Sequence, residues 1–184
     1  MRGIILSAGL GTRLKPLTDN IPKCMVEVGG KTMLEHAADY LNSFDIKQII
    51  VNLHYLPEKV YQRFGNRFLY FYEPTLLGEM GTIHALKDWI DGATAVINAD
   101  TLTNLDLFEL SCRYDSNMVR SYQGDTYTGQ TVVRPSYFYN PREIKIQTDA
   151  WWIDMGTPEG LKIANEKLNN LSKLRGKRQK KCSW

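Results

Sequence analysis

The chain is 184 residues long and 43% hydrophobic, enough for one globular domain with a sizeable core, and it has no apolar run near the roughly 18 residues of a membrane span and no stretch long enough for a signal peptide. The formal net charge of +3 misleads: Lys173, Arg175, Lys177, Arg178, Lys180 and Lys181 supply six of the 23 basic residues, so the rest sets 17 basic against 20 acidic and shows no basic stripe with interleaved aromatics to mark a nucleic-acid binder. Cys24, Cys112 and Cys182 are odd in number and scattered, which excludes a disulfide framework and reads as reduced thiols of a cytoplasmic protein, and His36, His54 and His84 share no zinc spacing with them.

Apolar runs and amphipathic segments then alternate along the chain. Gly3 to Leu6 reads as a strand buried on both faces, and Thr32 to Phe44 carries Met33, Leu34, Ala37, Ala38 and Leu41 at helical spacing. A second buried strand, Gln48 to Leu53, precedes a helix from Pro57 to Phe64 with proline in its first turn. Arg67 to Tyr72 and Ala93 to Asp100 are the third and fourth strands, separated by a helix over Thr82 to Trp89. From Asn104 to Gln147 the pattern weakens into hairpins and irregular connections. It recovers in a strand over Trp151 to Asp154, a turn at Gly156-Thr157-Pro158 and a helix from Glu159 to Leu174. Such repeats predict an α/β fold, a Rossmann-like three-layer sandwich with a mostly parallel sheet, spanning residues 1–172 and followed by a solvated basic tail, 173–184. Ligands of such sheets bind beyond the carboxyl ends of the strands, where Ser7 to Arg13 and Asp100 lie.

The stretch "LSAGLGTRLKPLTDNIPKCMVEVGGKTMLEH" fits neither familiar phosphate loop. A dinucleotide fingerprint needs glycine where Leu14 stands, and the P-loop ending of Gly30-Lys31-Thr32 lacks its earlier glycine, having Met25 there. Ala8, Gly9 and Gly11 expose backbone N–H groups with little bulk, Arg13 can fork onto phosphate oxygens and Lys23 adds a point charge. A bare Gly-x-Gly reads as a tight turn with surface cations. The full spacing G-x-G-T-R-L-x-P-L-T-x-x-x-P-K resembles one family, the sugar-nucleotide pyrophosphorylases, with Cys24 and Thr32 at positions often held by proline.

The resemblance implies a nucleotide-diphospho-sugar transferase fold and a reaction in which an NTP and a sugar 1-phosphate give an NDP-sugar and pyrophosphate. It implies that Leu6, Ser7, Ala8, Gly9, Gly11 and Thr12 hold the nucleotide, and that Arg13 and Lys23 stabilise charge at the α-phosphorus as the catalytic cations. Asp100, ending "VINAD", and Asp154, in "WIDMGTPEGL", resemble the family's two Mg²⁺ aspartates, although alone each reads as a turn residue. In "EPTLLGEMGTIHAL", Gly78 matches a glycine that lets base or sugar approach the backbone. Glu73 matches a position that faces the base, where a carboxylate would accept from guanine and favour GTP; otherwise it faces solvent at a strand end.

The resemblance covers Met1 to Leu110 and again Asp149 to about Leu168. The middle is shortened and lacks a recognisable Glu-Lys-Pro element, so an acceptor pocket that is smaller, more open or completed by a partner subunit stays open, as does a homo-oligomer. Two further readings stand beside the leading one: a CTP- or UTP-dependent nucleotidyltransferase with another phosphate or phosphonate acceptor, and a nucleotide-binding subunit without turnover.

Overall fold

The computed structural model describes residues 1–112 and 116–181, with side chains as far as 171. Cys182 and the basic side chains expected to form the tail lie outside the described residues. The strands are β1 (Arg2–Leu6), β2 (Glu27–Val28), β3 (Lys31–Thr32), β4 (Ile49–Leu53), β5 (Leu69–Tyr72) and β6 (Thr94–Asn98), then β7 (Thr101–Thr103), β8 (Met118–Gln123), β9 (Thr126–Val133), β10 (Glu143–Gln147) and β11 (Trp152–Asp154). The helices are α1 (Met33–Ser43), α2 (Pro57–Phe64), α3 (Gly78–Ala85), α4 (Leu107–Ser111) and α5 (Pro158–Lys181).

Seven strands form one sheet in the order β10-β8-β9-β6-β1-β4-β5, and every pairing is parallel except those of β9 with β6 and β8. The two-residue period of the strands divides their side chains between two apolar layers. Ile5, Val51 and Ile97 pack under α1, α2 and α4, while Ile4, Ile50 and Val96 pack against Ile83 of α3 and Leu86. The mostly parallel three-layer sandwich expected from the alternating pattern is therefore present.

Three elements depart from the expected boundaries. The helix placed at Thr82 begins at Gly78, whose φ of 71° turns the chain into it; its apolar period starts one turn after its backbone does. The region from Asn104 to Gln147 supplies three of the seven main-sheet strands, β8, β9 and β10. The last helix runs on to Lys181, past its expected end at Leu174. Among the described residues no helix is long and apolar enough to cross a membrane.

A third apolar cluster joins Leu14, Val26, Val28 and Met33 to Met155, Leu161 and Ala164. It clamps the loop after β1 between α5 and the start of α1. Gly30-Lys31-Thr32 is helix entry, as read from the sequence. The Thr32 hydroxyl accepts from the Glu35 N–H at 3.1 Å, and a Glu35 oxygen accepts from the Thr32 N–H at 2.8 Å, a complete capping box.

Candidate active site

β1 ends at Leu6, and the chain crosses the carboxyl edge of the sheet as the loop Ser7–Gly11. Gly11 takes φ 68° to enter a single 3₁₀ turn, Thr12–Leu14. A side chain there is excluded twice, because a Cβ would stand 2.8 Å from Thr18 Cγ2 and 3.0 Å from Lys23 Cβ. Thr18 donates its hydroxyl to the Gly11 carbonyl at 2.7 Å, and the Tyr55 hydroxyl donates to the Asp19 carbonyl at 2.7 Å, tying both ends of the loop. Leu14 is buried while Arg13 projects outward. Burial of Leu14 is worth about 1.5–3 kcal/mol, against about 0–1 for an exposed ion pair, so apolar packing sets where Arg13 stands.

The two expected aspartates are brought together by a ribbon outside the main sheet. β7 and β11 pair antiparallel with Thr101 opposite Asp154, and the Met155 N–H donates to the Asp100 carbonyl at 2.7 Å. Each carboxylate meets one of the expected cations. The Lys23 ammonium donates to Asp100 Oδ2 in a short, largely buried ion pair, and Arg13 Nη1 donates to Asp154 Oδ2 at 3.1 Å. Gly156 packs over the first pair, and a Cβ there would stand 2.6 Å from Asp100 Oδ2 and against the Lys23 ammonium. The set suits a small hard cation held by two carboxylates together with ligand oxygens. Among the described residues no three His, Cys, Asp or Glu converge to hold a metal unaided.

The cleft beside this cluster has two lobes that share Leu6, Gly9 and Asn98. One, of about 190 Å³, is lined by Ser7, Gly9, Lys23, Cys24 and Asp100. The other, of about 390 Å³, runs past Ala8 and Gly9 to Gly78, Glu79 and Tyr127. No atom lies within 4 Å of where a Cβ would stand on Gly9 or on Gly78, so a ligand can approach both backbones. A larger hollow of about 700 Å³, around Met1, Arg2, Lys47 and Asp91, lies at the amino ends of the strands, away from these groups. Thr12 is exposed on the loop, next to Arg13. Cys24, at the floor of the first lobe, has its thiol pushed up to about 12 by burial, against the opposing effects of the Ser7 hydrogen bond and Lys23.

Two expected nucleotide contacts line the cleft and also carry internal hydrogen bonds. Glu73 does not reach solvent at a strand end: it is fully buried in the wall of the second lobe, and both carboxylate oxygens accept hydrogen bonds. Oε1 accepts from Asn52 Nδ2 at 2.8 Å and from the Thr82 hydroxyl at 2.5 Å, and Oε2 accepts from the Leu77 N–H at 3.1 Å. Ser7 has its N–H committed to Asn52 Oδ1 and its hydroxyl to the Asn52 carbonyl, each at 2.6 Å. Glu79 was absent from the expected set yet lines the cleft. Its oxygens accept from Arg120 Nη2 at 2.5 Å, from the Tyr127 hydroxyl at 3.1 Å and from the Thr131 hydroxyl at 3.3 Å, joining α3 to β8 and β9. These partners lie 41 to 52 positions away, beyond any local sequence pattern.

A family model described as nucleotidyl transferase matches residues 2–114. The chain is 36% identical over 115 residues to a D-glycero-alpha-D-manno-heptose 1-phosphate guanylyltransferase of Campylobacter jejuni, a match covering 60% of this chain and 52% of the relative. It is 31% identical over 148 residues to a mannose-1-phosphate guanyltransferase of Yarrowia lipolytica, covering 75% and 40%. A choline-phosphate cytidylyltransferase of Streptococcus pneumoniae is 32% identical over 111 residues, covering 59% and 48%. The chain thus spans about half the length of the curated relatives it matches. In fold it is similar to a structure named for glucose-1-phosphate thymidylyltransferase from Bacillus anthracis, with TM-score 0.78 at 19% identity over 91% of this chain and 95% of that one. It is also similar to HddC from Yersinia pseudotuberculosis complexed with GMP-PN, with TM-score 0.75 at 24% identity over 90% and 98%.

Proposed function

Because the chain belongs to the nucleotidyl transferase family, we propose that it joins an NTP to a sugar 1-phosphate in the cytoplasm, giving an NDP-sugar and pyrophosphate, with residues 1–172 carrying the chemistry. The observation that carries this reading is the convergence of Arg13, Lys23, Asp100 and Asp154, in two cross-pairs, beside the open backbone of Gly9. An oxygen of the acceptor phosphate attacks the α-phosphorus in line. One P–O bond forms, the α–β bridging bond breaks, and pyrophosphate leaves. The attacking phosphate is already anionic, so no general base is needed and the protein supplies position and charge.

In this reading Gly9 and Gly11 allow the triphosphate close to the loop, and Gly78 admits base or sugar on the opposite side. Arg13 and Lys23 exchange their aspartate partners for phosphate oxygens, where preorganised cations act on charge that develops during transfer. Asp100 and Asp154, freed by that exchange, would hold Mg²⁺, which when bound neutralises phosphate charge as a Lewis acid. The acceptor is assigned to the lobe walled by Glu79 and Tyr127. GTP is the first nucleotide to test, supported by the names of two relatives at 36% and 31% identity. The Glu73 carboxylate, which lines the lobe with Gly78, remains the residue proposed to face the base.

The test is pyrophosphate release from GTP, UTP, CTP, dTTP and ATP, each with Mg²⁺ and a panel of sugar 1-phosphates. Release with one pair, dependent on both partners, is the expected result. Tight NTP binding with no release from any pair would overturn the proposal.

A further inference from the structure

The ribbon of β7 and β11 touches two glycines at the end where Thr101 lies opposite Asp154. Gly129 of β9 backs onto Thr101, and a Cβ there would stand 2.6 Å from the Thr101 hydroxyl oxygen. Gly160, in the first turn of α5, backs onto Asp154 itself. A Cβ on Gly160 would fall on the Asp154 carbonyl oxygen, 2.8 Å from the carbonyl carbon and 3.0 Å from Thr157 Oγ1. The obstacle is backbone and the added atom is Cβ, so no rotamer relieves the clash.

Nothing else at this position calls for glycine. Gly160 lies outside the left-handed region, and helix propensity alone favours alanine. Its place is fixed from the helix side. The Gly160 N–H donates to Thr157 Oγ1 at 3.0 Å, and the Leu161 N–H donates to the Thr157 carbonyl at 2.9 Å. One turn on, Leu161 and Ala164 are buried with Leu14, Val28 and Met155, and Asn165 Oδ1 accepts from the Gly29 N–H at 2.8 Å. β11 is three half-buried residues paired only with β7, so the strand end yields before the helix does.

The oxygen that meets Gly160 belongs to the peptide unit whose other end ties the two aspartates together. That unit is planar, and its N–H, on Met155, donates to the Asp100 carbonyl at 2.7 Å. Pushing the oxygen away from α5 tilts the whole unit and draws that N–H off Asp100. The Asp154 carboxylate moves with it, because Oδ1 accepts from the Gly156 N–H at 2.8 Å in the same turn. We infer that Gly160 is a positioning residue for the two aspartates: by letting α5 stand directly against the Asp154 carbonyl, it sets the place of the Asp154 carboxylate relative to Asp100. The inference rests on the nucleotidyl-transfer reading, in which these carboxylates hold Mg²⁺.

The experiment compares the full chain with Gly160→Ala. Calorimetry gives Kd for GTP, UTP, CTP, dTTP and ATP, each with Mg²⁺ and in EDTA and without acceptor, so that nothing turns over. In the variant the tightening of nucleotide binding by Mg²⁺ should shrink about 10–100-fold, the range found when groups that orient metal ligands are replaced, while Kd in EDTA stays within about twofold. The melting temperature should not fall, and the Met155 amide should exchange its hydrogen faster. In an Asp154→Ala background, adding Gly160→Ala should change neither Kd further, because the effect passes through that carboxylate.

Equal weakening with and without Mg²⁺ would mark a general distortion and overturn the inference. So would an undiminished effect of Mg²⁺, a further loss in the Asp154→Ala background, or a Gly160→Ala chain that does not fold, which would make the contact structural only. A wild-type protein that binds no nucleotide more tightly with Mg²⁺ refutes the proposed metal site instead. Exchange at Met155 needs no ligand and still decides whether Gly160 holds the Asp154 peptide: an unchanged rate overturns the inference.

Discussion

Arg13 and Asp154 stand 141 positions apart in the chain and meet as an ion pair of 3.1 Å at the carboxyl edge of the sheet. With Lys23 on Asp100, the pair makes the site charge-closed: each group suited to a phosphate neutralises one suited to a metal. On the proposed reaction, nucleotide and Mg²⁺ together would satisfy all four groups, whereas either alone would leave a carboxylate or a cation without its partner.

The first prediction concerns Arg13→Ala. The Arg13 side chain is 57% exposed, so removing it should cost less than about 1 kcal/mol of stability and shift Tm by less than about 4 °C. Turnover should fall by about 10²–10³, the range seen when one preorganised charge donor is lost. Lysine at this position keeps the charge and loses the fork, and should recover only part of the rate. Pyrophosphate release and thermal melts of both variants check the split, and wild-type turnover in Arg13→Ala would remove Arg13 from the phosphate site.

Gly156→Ala is the sharper steric test. Its added Cβ falls 2.6 Å from Asp100 Oδ2 and against the Lys23 ammonium, so one methyl group displaces both ends of an ion pair. The φ of Gly156 lies outside the left-handed region, and the backbone accepts alanine without strain. kcat should drop at least about tenfold, in line with misplacement of catalytic groups by about an ångström, while the melting temperature stays close to wild type. A variant with full turnover would show that the Lys23–Asp100 arrangement is not needed for catalysis.

Thr32→Ala addresses the segment that copies the end of a P-loop. If Thr32 acts as a helix cap, its loss removes the hydrogen bond from the Glu35 N–H and the hydroxyl contact to the Glu35 carboxylate at 2.9 Å, leaving that carboxylate the Thr32 N–H and Arg63 Nη2. The expected cost is about 1–2 kcal/mol in urea unfolding, at the upper end because the threonine is buried, with kcat unchanged at low temperature. Loss of nucleotide binding without loss of stability would return the segment to the phosphate site.

Local chemistry was legible wherever neighbours in sequence are also neighbours in space. Pro57 marks the start of α2, Thr32 caps α1, and the spacing from Gly9 to Lys23 marks the loop that meets Asp100 and Asp154. Legibility failed where partners are remote. β9 is buried on both faces yet carries Thr128 and Gln130 on one and Thr131 on the other, so it shows no apolar run; the edge strand β10 is exposed or half-exposed and has no hydrophobic run. The burial of Glu73 depends on Asn52 and Thr82, 21 and 9 positions away, and a carboxylate at a strand end carries no local mark of such partners.

The last prediction is alkaline instability, and its sign follows from Cys24. Burial raises its thiol from 9.0 to about 12 in the folded chain. The unfolded chain releases this proton near pH 9 and the folded chain holds it, so the thiol's contribution is fully present below pH 9 and is lost as pH rises from 9 to about 12. Tyr40 and Tyr127 act in the same direction: burial raises both, with Asp106 adding to the first and Glu79 to the second. Unfolding free energy should therefore be flat up to about pH 8.5, then decline by about 1.4 kcal/mol per pH unit for each group that ionises only in the unfolded chain. Urea titrations at intervals from pH 7 to 11 would trace the decline. Cys24→Ala removes the first group to titrate and should make the early part of the decline shallower. An unchanged slope in that variant would mean that the thiol ionises as readily inside the protein as outside it.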